Sequence, residues 1–274
     1  MSMDDIIIHL FCRIADELHD VKQHDQAHLH PSEVVTIGVL YAMRGNGYRA
    51  FYRWLFWNWR KFFPKLSELS RLHRLLARYS HLTNRFLKKA SFFTVMDSYG
   101  IELIHPIRED RSPVQVGKKG KSNHRWIVGI KYCLLVNNVG EAVGWGWAPA
   151  NEHDQCFRPI AIQLDEETIT LTDSGFVKAN VEPCNIKVCR RGEWNERMLI
   201  ETIFSLFTTL FHTKKMRQRA ETHINGHLAY LTAALNLLLT ITELDFVHIA
   251  ERIMAPQKAM SRPALNYLHI ACHR

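Results

Sequence analysis

The apolar pattern changes period once along the chain, near Ala90, and that change restricts the fold more than any other feature. Before it, apolar residues recur at the spacing of helix faces. Asp4 or Asp5 is placed to cap a helix carrying Ile7, Leu10, Phe11, Ile14 and Leu18 on one side. Pro31, Ser32 and Glu33 open a second helix, which the Gly45-Asn46-Gly47 turn ends. A third is expected from Tyr48 to Phe63, stopping at Pro64, with shorter helices over Ser67 to Arg78 and Thr83 to Lys89. After Ala90 come runs rich in β-branched and aromatic residues: Phe92 to Met96, Trp126 to Val136, Val143 to Trp147 and Thr168 to Thr172. Asn137 to Gly140 reads as a hairpin turn between the second and third strands. A helix from Asp154 to Leu164, a short strand from Ile186 to Cys189, a helix around Glu201 and one over Glu221 to Leu239 complete the order. That order predicts an α/β fold: a mixed sheet flanked by helices, preceded by an all-helical N-terminal region.

Charge is unevenly placed. The net charge is +8, yet Arg44 to Lys89 holds twelve Lys and Arg against the single acid Glu68. The remainder, with 23 basic and 26 acidic residues, is slightly negative. A field confined to one N-terminal segment points to a polyanion as partner. The N-terminus lacks the basic flank of a signal peptide, and the apolar stretch from Leu228 to Ile241 is short for a bilayer span, so a cytoplasmic protein without a membrane partner is expected. The six cysteines include no CxxC pair and are expected to be reduced.

Chemistry is expected at three carboxylates. Glu201 is the sole formally charged residue between Arg197 and Lys214, in a helix whose apolar positions, among them Ile200, Ile203, Phe204 and Phe207, cover more than one face. A carboxylate buried there would need a partner or a metal ion. Asp97 and Asp173 each end a strand-like run, and neighbouring strands can bring such ends together. Three carboxylates offer the hard oxygen ligands that Mg2+ takes, and two such ions suit in-line phosphoryl displacement. Arg197 lies one helical turn before Glu201, where it would form an ion pair or meet a phosphate. Lys118, Lys119, Lys121 and Arg125 are expected in a solvated loop able to follow a DNA backbone. From Tyr48 to Phe63, basic residues alternate with aromatics that are mostly core. Arg71, Arg74 and Arg78 lie on the helices best placed to reach base edges.

Three stretches resemble the DDE transposases of bacterial insertion sequences. They are Val-Met-Asp-Ser at Asp97; Val-Gly-Ile-Lys-Tyr, then Gly140 and Ala-Pro-Ala-Asn-Glu-His-Asp at Asp154, leading to Leu-Thr-Asp-Ser-Gly-Phe at Asp173; and Trp194, Arg197 and Glu201. The last is similar to the family signature of tyrosine, arginine, glutamate and lysine. The resemblance covers about residues 91 to 240. It implies a ribonuclease H-like catalytic domain over 91–274, behind a helical DNA-binding region over 1–90. It also implies catalysis by Asp97, Asp173 and Glu201 with two Mg2+ ions (Mn2+ as a substitute), no small-molecule cofactor, double-stranded DNA as substrate, and a homodimer on DNA. The chain departs from the signature twice: Trp194 stands for the tyrosine and Thr208 for the lysine. Lys214 or Lys215 could supply the missing charge. A nuclease without strand transfer, and an inactive DNA-binding derivative, are the alternative readings.

Overall fold

The computed structural model describes residues 2–45, 47–122, 125–164, 167–177, 185–189, 197–209 and 211–240. The N-terminal part is helical. Helix α1 (Met3–Glu17) buries Ile6, Ile7, Leu10 and Ile14, and its cap is Ser2: Asp5 N donates to Ser2 Oγ at 3.2 Å, and Asp5 returns a carboxylate to Ser2 N at 2.7 Å. Asp5 therefore closes the capping box in place of being the cap itself. Helix α2 (Pro31–Arg44) is capped by His30 with Glu33 and ends at Gly45, whose φ of 64° is the left-handed conformation that glycine adopts freely. Helix α3 (Tyr48–Asn58) is shorter than its apolar sequence predicts. The chain breaks into tight turns at Trp59, which folds back to 5.9 Å from Trp54, and both rings are buried with Phe63. Helix α4 (Leu69–Tyr79) passes into a 3-10 segment, Ser80–Phe86, where a separate helix from Thr83 was expected.

Six strands form one sheet: β1 (Phe93–Ile104), β2 (Lys118–Ser122), β3 (Arg125–Asn137), β4 (Ala142–Pro149), β5 (Ile169–Thr172) and β6 (Ile186–Val188). Strand β3 pairs antiparallel with β1 along one edge, and its other edge is shared by β2 over Arg125–Gly129 and β4 over Ile130–Val136. On the far side of β1, β5 and then β6 run parallel to it. The β3–β4 turn falls at Asn137 to Gly140, with Gly140 at φ 85°. The helix expected over Asp154 to Leu164 is a 3-10 turn followed by the short α5 (Arg158–Ile162).

Strand alternation sends Val95, Ile101, Tyr132 and Leu134 to one face, where α6 (Arg197–Thr209) lays Ile200, Ile203, Phe204 and Phe207 on them. Met96, Cys133 and Leu135 face the other way, under Phe157, Ala161 and Phe176. Helix α7 (Glu221–Thr240) ties the sheet to the helices. Its Asn236 side chain receives Ala142 N–H at 2.7 Å and donates to Phe86 O at 2.7 Å. Its Tyr230 ring presses on Gly38 of α2 so closely that a methyl there would stand 2.3–2.6 Å from ring carbons. A single hydrophobic cluster thus runs from α1 through α7 into the sheet, across residue 90. No helix among the described residues is long and apolar enough to cross a membrane.

Candidate active site

The site begins as a gap along one edge of β1. Strand β5 accompanies β1 over Phe93–Val95 and then ends. Pairing resumes at Glu102, whose N–H donates to Lys214 O at 2.9 Å and whose carbonyl accepts Met216 N–H at 2.9 Å. Between these two, the edge of β1 looks into a cavity of about 660 Å³. Asp97 sits mid-strand beside this gap, where the sequence had suggested a strand end. Its carboxylate accepts the Ser98 N–H at 2.7 Å. The parallel register Val95–Leu171, carried two residues further, sets Asp173 level with Asp97. Asp173 there caps a 3-10 turn by accepting Gly175 N–H at 2.9 Å.

Asp97, Asp173 and Glu201 all line this cavity, together with Asp154. A methyl on Gly175 would stand 3.1 Å from Asp173 Oδ1 and 3.4 Å from Asp154 Oδ2, so both carboxylates lie against this glycine. Glu201 is exposed, contrary to the burial expected of it. The reason lies one residue away: Ile200 takes the buried stripe of α6, and the 100° step to Glu201 turns its side chain to the cavity. As placed, no three His, Cys, Asp or Glu side chains among the described residues stand close enough to hold a metal ion. The three carboxylates share a wall, not yet a point.

Two residues of the site carry roles that the sequence reading left unassigned. Lys131 Nζ lies 3.1 Å from Asp154 Oδ1, and Ser98 Oγ donates to the same oxygen at 2.7 Å. Lys131 was legible in principle, as the single charged residue between Arg125 and Glu141 in a run otherwise fit for the core. Beneath them Cys133 is fully buried; burial first, then the charges of Asp97 and Asp154, push its thiol well above the ordinary range.

The cationic candidates divide. Lys121 and Lys214 line the cavity, as does Thr208 at the signature-lysine position. Lys215 instead pairs with Glu102 at 2.8 Å, and Arg125 reaches the same carboxylate at 3.5 Å. Lys118, Lys119 and Lys121 lie on strand β2 at the sheet edge, where a loop had been expected. Arg71, Arg74 and Arg78 are exposed along one side of α4. Arg197 opens α6, and Trp194 lies outside the described residues. Comparison with protein-family models, curated proteins and solved structures finds no match for the chain.

Proposed function

We propose that the chain is an insertion-sequence DDE transposase, which cuts DNA at the ends of its element and joins the freed 3′-hydroxyl to target DNA. The observation that carries the reading is that Asp97, Asp173 and Glu201, the three carboxylates the sequence singles out, line one cavity at the gap in β1. The strand order supports it as well: β4, β3 and β1 antiparallel, then β5 and β6 parallel, with α6 across one face, is the layout a ribonuclease H-like domain needs.

The donor set is all oxygen and opens to solvent, which fits Mg2+ or Mn2+. Asp97, Asp173 and Glu201 would hold it. A metal held by these carboxylates would supply an activated oxygen nucleophile and neutralise charge at the leaving oxygen. The chain's own cations do the rest. Lys214 and Lys121 draw the phosphodiester into the cavity, Lys214 taking the place left by Thr208. Lys131, held by Asp154, keeps a positive charge fixed at the floor. The arginines of α4 hold the duplex outside, and two copies bring two ends together.

The test uses the full-length chain with DNA containing the sequences that flank its coding region. Magnesium-dependent joining of a flanking end to a second DNA supports the proposal. Cleavage without joining would instead make it a nuclease, and binding with neither would make it a DNA-binding derivative.

A further inference from the structure

Beside the cavity, β2 and β3 present a face that the carboxylates do not use. Trp126 is paired with Lys121 across the β2–β3 ladder, so the indole stands on the same face as the Lys121 side chain, which lines the cavity. Lys119, two residues back on β2, shares that face, and its ammonium lies 5.8 Å from the indole centroid. Lys119 also comes within 4.0 Å of Glu109. Trp126 is 60% exposed, although the next residue, Ile127, is 3% exposed and β3 is buried from there to Ile130. An exposed indole beside one ammonium, and paired across the ladder with a second lysine that lines the cavity, is suited to binding unpaired nucleotides. The ring takes the face of any base, and the cations take the phosphates on either side.

We infer that Trp126 is a stacking platform for one unpaired base of the DNA strand at the cavity, with Lys121 and Lys119 on its flanking phosphates. A paired base within a duplex already has both faces covered, so the partner is a nucleotide at a frayed or single-stranded end. The inference rests on the proposed function for where that strand leads, but stacking is measurable without cleavage.

The experiment measures affinities of the full-length chain, without divalent ion, for a blunt duplex and for the same duplex with a three-nucleotide single-stranded extension. The native chain should lose about 5- to 150-fold in affinity when the extension is made abasic. Trp126→Ala should lose about as much on the intact extension and stay within about twofold on the blunt duplex. Trp126→Phe should retain most of the affinity, and Trp57→Ala, which removes an exposed indole from α3, should behave as the native chain. The inference is overturned if abasic and intact extensions bind alike, or if Trp126→Ala weakens blunt and extended DNA equally, as a loss of fold or of general charge attraction would. If the ratios hold and no cleavage is ever found, catalysis falls and the stacking site stands.

Discussion

Lys131, set into the buried part of a strand, lies 3.1 Å from Asp154, with 15% and 24% of the two side chains exposed. Removing one partner strands the other. Asp154→Ala should lower stability by about 1–3 kcal/mol, seen as a lower urea midpoint with unchanged slope. Asp154→Ala with Lys131→Met should cost less than the two single changes together, because no unpaired charge remains. Additive losses would mean the pair is solvated and contributes little. At this scale the sequence was readable where an acid or base interrupts an apolar run, as at Glu201. It misled over burial, because composition reports how apolar a helix is and not which 100° step faces a cavity.

At the scale of elements, the stripe of Arg71, Arg74 and Arg78 on α4 is solvent-exposed and opposite the buried Leu72 and Leu76. Replacing all three with glutamine should weaken duplex binding and flatten the dependence of log affinity on log salt by up to about three units. An unchanged slope would remove α4 from the DNA interface. Helix positions, the β3–β4 turn and most strands could be read from periodicity. Strand β2 could not: Lys-Lys-Gly-Lys-Ser has neither alternation nor β-branched residues, and it is a strand because β3 offers a free edge and Gly120 lets Ala150 O approach to within 1.9 Å of where a Cβ would lie. The length of β1 was likewise hidden, since Asp97, Ser98 and Gly100 break its apolar run at the point where the cavity needs them.

Across the whole molecule, α7 packs between the N-terminal helices and the sheet, and the contact carries histidines. His227, 6% exposed and edge-on to Tyr41 at 4.9 Å, is held down to about 4 by burial. His73 of α4 stacks on His223 of α7 at 3.7 Å and is lowered to about 4, by burial first and then by its neighbour. Both lie below the ordinary value of 6.5, so between about 4 and 6.5 the unfolded chain binds more protons than the folded one. The stability these residues retain is fully present above pH 6.5 and is lost as pH falls toward 4. His227 alone accounts for on the order of 3 kcal/mol, and the half-exposed His73 for less. Urea midpoints should therefore drop between pH 7.5 and 5; a flat profile would contradict the buried neutral state. What no local pattern could reveal is this long-range junction, because Tyr230 of α7 meets Leu76 of α4 across 154 residues of chain, and α2 lies further still along it.

The central claim, that Asp97, Asp173 and Glu201 act as one catalytic set, is tested most directly by strand cleavage of flanking-sequence DNA by the full-length chain with and without Mg2+ or Mn2+. The expected result is cleavage that needs the ion and disappears in Asp97→Asn, Asp173→Asn and Glu201→Gln, each still folded and still binding DNA. Cleavage that persists in folded Asp173→Asn or Glu201→Gln protein, or that proceeds equally in a chelator, would contradict it.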